Sequence, residues 1–394
     1  MSLARLCLAY LRLRLGTTLL NVTLIATGVA ILASILLVGS QLRDRVQREI
    51  RGIDLVVGAK GSPLQLILST VFHLDVPTGN VSTAEVAFVR NHPLVARAIA
   101  LAIGDSAWGY RIVGTEPELL EERGVSLAAG RLWQAPMEAV LGAEVARSTG
   151  LGIGARFVGS HGLGGGFAHT EHPYLVVGVA ARTGTVTDRL ILTSLESVWR
   201  VHAPRTPAAY EGQQGEVTAL LVRYRTPLAA VQLPRLVNAR PSLIAAVPAF
   251  EAARLLSIVG LGLEVLRFLG ALLLAIAALA VLVALTNALS ERRADLALMR
   301  TLGATRGLLI RALLLEAMLL TTSGLALGLV LAHLSVELLV RMLPEARASG
   351  LSGLAVASGE IWLVPALLLL AIAAAAIPAV RLYRTNLLRI LAQR

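Results

Sequence analysis

The sequence predicts a membrane protein: four transmembrane α-helices, with a large mixed α/β extracytoplasmic domain inserted between the first and the second. Three observations predict it. The 394 residues are 56% hydrophobic yet only 4% aromatic, so the excess is Leu, Ala, Val and Ile, as lipid-facing helices use. The apolar residues gather in four runs, each of the roughly 20 residues a helix needs to cross a bilayer. Between the first and second runs lies a long stretch of ordinary composition, 41–260.

The first run, 16–40, reads "GTTLLNVTLIATGVAILASILLVGS". The second, within 261–289, contains "FLGALLLAIAALAVLVALTNAL". The third covers 308–340, and the fourth, 361–381, begins "IWLVPALLLLAIAAAAIPAV". Only helices or closed barrels satisfy their backbone groups in lipid, and runs this continuous mean helices. The apolar part of the first run is longer than a signal-peptide core. No small-residue cleavage site precedes "QLRDRVQREIRG", so the run reads as a retained span. Residues 1–15, "MSLARLCLAYLRLRL", set Leu and Ala against Arg at helical spacing. They form either an amphipathic helix at the inner interface or the inner end of the first span.

The net charge of +11 is almost all Arg, and the Arg residues flank the apolar runs. Arg5, Arg12 and Arg14 precede the first. Arg292, Arg293, Arg300 and Arg306 join the second to the third across 290–307. Arg381, Arg384, Arg389 and Arg394 follow the fourth, chiefly in the tail 382–394. These three groups fall on one side, which the positive-inside bias makes the cytoplasm. The loop 341–360 carries no net charge. Residues 41–260 are therefore expected in the periplasm of a bacterium, anchored in its inner membrane. The same distribution speaks for a lipid bilayer as partner and against nucleic acid. Cys7 is the only Cys, which excludes an intramolecular disulfide and a Cys-based metal cluster.

In the outer stretch, "DLVVGA", "YRIVGT", "YLVVGVAA", "RLILTS" and "TALLVRY" read as strands. "STAEVAFVRNHP", "EAVLGAEVARSTG" and "PLAAVQLPRLVNA" read as helices, and "ARSTGLGIGARF" as a helix, a Gly stop and a turn into a strand. No G-x-S-x-G elbow, H-E-x-x-H or Walker A loop occurs. A non-catalytic chain is expected, with ATP handled elsewhere.

Two stretches carry function. "ALSERRADLALMRTLGATRGLLIRALLLEA", 288–317, places Glu291, Arg292 and Arg293 ahead of Leu296, Met299 and Arg300 at helical spacing, with a break at Gly303. It reads either as a helix docking an apolar knob into a partner's groove or as a plain positive-inside hairpin. "SHGLGGGFAHTEHPY", 160–174, holds His161, His169 and His172, three of the chain's seven His. Zinc takes about four ligands. Glu171 is a fourth candidate, as are His73 and Asp75 of "FHLDVPTGN". The other reading is a turn between strands that merely tolerates His. Within the third run, Gly324 and Gly328 form a G-x-x-x-G that permits close helix contact, inside the bundle or at a dimer interface. Arg311 and Glu316 read as structural, and Glu337 with Arg341 as an interfacial pair.

"RRADLALMRTLGAT" resembles the signature of the FtsX/MacB-type ABC permeases, also called type VII or mechanotransmission permeases. "VLGAEVARSTGLGIGARF" and "VVGVAARTGTVTDRLILTSLESV" resemble that family's periplasmic core. The resemblance implies a homodimer working with two copies of a separate ATP-binding subunit. Glu291 to Thr305 would be the coupling helix, and ATP hydrolysis inside would drive movement outside. MacB carries a fused nucleotide-binding domain and this sequence has none, so another polypeptide would supply ATPase activity, as in lipoprotein-releasing and cell-division relatives. "GAKGSPLQL", "PTGN" and "TGTVTDR" are similar to a subgroup found with zinc-starvation genes. That implies a zinc-linked task, such as metal release or handling of a periplasmic metal-binding partner. The alternatives are a membrane-anchored metal-binding or sensor protein without a motor, and a lipoprotein-releasing permease with a lipoprotein partner and no metal. A secondary transporter fits poorly, because four spans are few and no inverted repeat is visible.

Overall fold

The computed structural model describes residues 3–162, 169–202, 215–291, 304–343 and 350–384. They form two compact units, Met1–Arg43 with Ile258–Arg394, and Asp44–Ser257.

The first unit is helical. Its elements are α1 (Leu3–Leu13), the greater part of α2 (Leu15–Ile50) and of α9 (Pro248–Glu291), α10 (Arg306–Met342) and α11 (Leu363–Arg384). Four of them, α2, α9, α10 and α11, are long and apolar enough to cross a membrane. Helix α1 ends before Arg14, and the Cys7 thiol donates to the Ala312 carbonyl of α10 at 3.4 Å. Helix α2 runs past residue 40 to Ile50, and α9 starts at Pro248, ahead of its apolar run. Hydropathy marks only the lipid-length part of a helix, whereas backbone hydrogen bonding continues through "QLRDRVQREI".

Ile25 and Val29 of α2, Ala277 and Val281 of α9, Ala317 of α10 and Ala375 of α11 share one core. Gly324 and Gly328 face α2 within the same chain. A Cβ on Gly324 would lie 2.6 Å from that of Ile25, and one on Gly328 2.6 Å from that of Val29. Arg341 Nε donates to Glu337 Oε1 at 3.0 Å, the expected pair. Glu316 is buried, and Arg311 lies on the surface of the unit.

The second unit is built on one sheet. Its strands are β1 (Leu55–Ala59), β2 (Val95–Ala107), β3 (Tyr110–Thr115), β4 (Leu127–Gly130), β5 (Glu138–Leu141), β6 (Arg156–Phe157), β7 (Ser160–His161), β8 (Tyr174–Ala180), β9 (Leu190–Ser194), β10 (Ala219–Tyr224) and β11 (Leu243–Ala246). The order is β11-β1-β10-β2-β3-β9-β5-β8-β4, with β6 beside β8 and β7 beside β2. The β3–β9 and β5–β8 pairs are parallel. Helices α3 (Pro63–Thr70), α4 (Thr83–Arg90), α5 (Glu118–Glu122), α6 (Ala143–Thr149), α7 (Leu195–His202) and α8 (Ala229–Asn238) flank it.

Side chains alternate between faces along a strand. Val56 accordingly joins a core with Leu66, Leu101 and Val113, while Leu55 and Val57 join another with Val89, Leu220 and Leu233. Burial on both faces explains why these strands read as near-continuous apolar runs. The five expected strands form, at β1, β3, β8, β9 and β10.

"EAVLGAEVARSTG" is not one helix. Glu138–Leu141 is β5, and α6 begins after Gly142. A Cβ at Gly142 would sit 2.4 Å from the carbonyl oxygens of Thr187 and Asp188, so the backbones meet where only Gly fits. The Ala-rich "VARAIALAIGDSA" had no assignment from sequence, yet it forms β2, thirteen residues long. Alanine carries little strand preference of its own, and here pairing with β3 and β10 decides.

Candidate metal centre

The turn that ends β2 begins the site. Trp108 and Gly109 both have positive φ, 52° and 78°, the two-residue hairpin geometry that matches strand twist. Just before it, the β2–β3 register shifts between Ile103 and Asp105. Such a bulge re-aims the neighbouring side chain. Strand β7 then pairs with β2, Asp105 opposite His161 and Ser106 opposite Ser160. Directly opposed residues share a sheet face, so this register brings a carboxylate and an imidazole together. The Gly162 N–H donates to the Gly104 carbonyl at 3.0 Å, and Ser106 Oγ donates to the Gly162 carbonyl.

Two further imidazoles arrive from elsewhere. His169 is held by its own N–H, which donates to the Gly159 carbonyl at 2.9 Å. His202 ends α7. Its Nδ1 lies 2.9 Å from the Val198 carbonyl and can only donate there, which turns Nε2 toward Asp105. One carboxylate oxygen, Asp105 Oδ1, lies 3.3 Å from His161 Nδ1, 3.6 Å from His169 Nε2 and 3.4 Å from His202 Nε2. The four donor atoms all fall within 4.8 Å of one another.

This geometry suits a metal better than it suits the cluster alone. Asp105 is buried, and neither of its oxygens has a hydrogen-bond partner; nor does His169 Nε2. Buried polar atoms are normally satisfied, and a cation held among these groups would satisfy them. A tetrahedral ion with bonds of about 2.0–2.1 Å sets its ligand atoms about 3.3 Å apart, close to the Asp105–His separations. Three imidazoles and a carboxylate suit zinc and its neighbours. The Val198 carbonyl is the kind of outer partner that fixes a ligating His.

Electrostatics separate the rings. The contact with Asp105 raises the pKa of His202, against burial. Burial lowers that of His169, opposed by Asp105.

The structure thus brings His161 and His169 together and adds Asp105 and His202, which sequence reasoning missed. The signal for Asp105 was an acid inside the apolar "ALAIGDSA"; His202 gave none beyond its residue type. His172 and Glu171 stand outside the cluster. The His172 N–H donates to the His169 carbonyl at 3.0 Å, turning the chain toward β8. His73 and Asp75 are not part of it either. Arg111 binds their backbone carbonyls at 3.0 and 2.6 Å, and burial holds His73 neutral, with a pKa lowered to about 3. Of the coupling residues, Arg292, Arg293, Leu296, Met299, Arg300 and Gly303 lie outside the described residues, as does the side chain of Glu291.

Comparison with known proteins bears on both units. Residues 18–235 match the MacB-like periplasmic core domain, and residues 267–387 match the FtsX-like permease C-terminal domain. Among solved structures, similarity is found to the extracellular domain of the noncanonic ABC-type transporter YknZ from Gram-positive bacteria. The identity is 10% and the TM-score 0.32, over 48% of this chain and 98% of that one. A domain of a putative permease protein from Porphyromonas gingivalis is similar at 17% identity and TM-score 0.28, over 48% and 80% of the two chains. No curated protein matches. The assignment rests on the two sequence matches, the first of which alone spans more than half of the chain. The order of one span, a large domain and three further spans fits a multi-pass inner-membrane protein whose large domain is periplasmic. The chain belongs to the FtsX/MacB family of ABC transporter permeases, membrane subunits that work with a cytoplasmic ATPase.

Proposed function

We propose that this permease is driven by a separate ATP-binding subunit, two copies serving a homodimer, and that ATP hydrolysis inside moves the periplasmic domain outside. Glu291 to Thr305 is the docking helix, with Leu296 and Met299 as its apolar knob and Arg292, Arg293 and Arg300 as its charged flank. The chain supplies no catalytic group. The observation that carries this reading is the FtsX-like match across 267–387, which brackets that loop.

The task outside is zinc-linked, as release of a metal or handling of a metal-binding partner. What supports this is the convergence of Asp105, His161, His169 and His202 in the periplasmic domain. A sensor without a motor would share that cluster but would bind no ATPase.

Co-purification of the ATPase with the permease tests the motor. Leu296→Asp with Met299→Asp is expected to abolish it, because two buried carboxylates in an apolar groove each cost several kcal/mol, on the order of 3 or more. Undiminished association in that variant overturns the docking assignment.

A further inference from the structure

We infer that Asp105, His161, His169 and His202 hold one zinc-type ion as an exchangeable occupant, anchored by Asp105 and loaded and released on the His161 side. This rests on the zinc-linked reading above and says what kind of site serves it.

The donor set selects the metal class. Mg²⁺ and Ca²⁺ require oxygen ligands, and the only oxygen donor in the cluster is Asp105. Imidazole suits Zn²⁺, Cu²⁺ and Ni²⁺. Thiolate is excluded, because Cys7 is the only Cys and belongs to the helical unit.

Exposure sets the direction of exchange. The side chain of Asp105 is 1% exposed, that of His169 17%, that of His202 33% and that of His161 51%. The site is closed behind the carboxylate and open at His161. That ring stands on a two-residue strand that pairs, among the described residues, with β2 and belongs to neither core, so it can swing away without disturbing them. His202, by contrast, is tied through Nδ1 to the Val198 carbonyl of a packed helix.

Charge sets how firmly the ion is held. One carboxylate and three neutral imidazoles leave a divalent ion with a net positive charge. Structural zinc sites, by contrast, are four-coordinate and closed, most of them with thiolates. A half-exposed neutral ligand at the mouth gives a competing imidazole or carboxylate a way in by ligand replacement.

The test uses the full chain in lipid nanodiscs, stripped of metal and titrated with Zn²⁺ against a chromophoric chelator. One Zn²⁺ per chain is expected. Asp105→Asn should weaken binding by more than about 100-fold, beyond the roughly 10–100-fold lost with an outer-shell partner. His172→Ala and Glu171→Gln should change nothing. His161→Ala should still bind, and should surrender Zn²⁺ to excess EDTA about tenfold faster than the unaltered chain.

Co²⁺ bound to the unaltered chain provides a readout that does not depend on any variant folding. The inference expects the intense visible bands of a four-coordinate site without thiolate charge transfer. A weak six-coordinate spectrum overturns it. Unchanged binding in Asp105→Asn places the metal elsewhere, and Zn²⁺ retained for hours against EDTA makes it a permanent structural ion. Either result defeats this inference and leaves the zinc-linked reading standing. Failure of the unaltered chain to bind Zn²⁺ or Co²⁺ at all removes both.

Discussion

Leucine at both Gly324 and Gly328 is expected to destabilise the helical unit, at about 1–3 kcal/mol for each overpacked site. The two residues lie one turn apart on the face of α10 that meets α2. A Cβ at Gly328 would come within 2.7 Å of the Ala26 carbonyl oxygen, and one at Gly324 within 3.3 Å of that of Val22. Backbone atoms cannot rotate aside, so the helices themselves must separate. In lipid no hydrophobic force returns them, because tails are as apolar as Leu; close van der Waals packing is what holds the pair. Thermal unfolding of the purified chain in detergent reads the loss, at about 2–4 °C per kcal/mol. Gly262→Leu is the control, since a Cβ there meets nothing within 4 Å. A dimer lost while the monomer keeps its thermal midpoint would assign the glycines to a contact between chains instead.

Glu49→Ala is expected to cost the periplasmic unit about 3–5 kcal/mol, the range for breaking a buried pair from one side. The Glu49 side chain is 1% exposed and that of Arg123 9%, with 3.6 Å between Oε2 and Nη1. Arg123 also donates to the Glu49 carbonyl at 2.7 Å, and Glu49 Oε1 accepts from the Val186 N–H at 2.7 Å. Removing the carboxylate leaves a buried guanidinium without its counter-charge, bonded only to the backbone carbonyl of residue 49 among these contacts, and orphans a buried amide. Burial already lowers the pKa of Arg123, and Glu49 opposes that shift. The loss falls on the turn "TGTVTDR", which Asp188 shapes by accepting from the N–H groups of Thr183 and Gly184, each at 2.8 Å. Unfolding should come about 6–20 °C earlier, and Glu49→Gln, which keeps the acceptor for Val186, should lose less. Proteolysis centred on 183–189 locates the damage. Equal midpoints for Glu49→Ala and the unaltered chain would show the pair to be dispensable.

The spans, the outer placement of the large domain and the family were legible in the sequence, and each for a local reason. A bilayer demands about 20 consecutive apolar residues, and the positive-inside bias is read residue by residue. The strands at β1, β3, β8, β9 and β10 were legible because β-branched and aromatic residues crowd short runs. Strand β2 was not, since Ala and Gly dilute its pattern, and Asp105 was lost with it. The "EAVL" strand was lost to a helix because it runs directly into one, with only Gly142 to mark the change.

The sequence by itself determined how this protein meets the membrane, because lipid constrains every stretch independently of every other. It also singled out the loop where His161 and His169 lie. Only the tertiary structure decided which groups they face. His161 meets Asp105 because β7 pairs with β2 across fifty-odd residues of chain, and His202 meets both because α7 packs on that sheet. Likewise Gly324 and Gly328 find α2 only through the packing of the bundle. Spacing along a chain describes neighbours on one element, whereas a cluster assembled from β2, β7, α7 and the loop at His169 depends on register and packing between them.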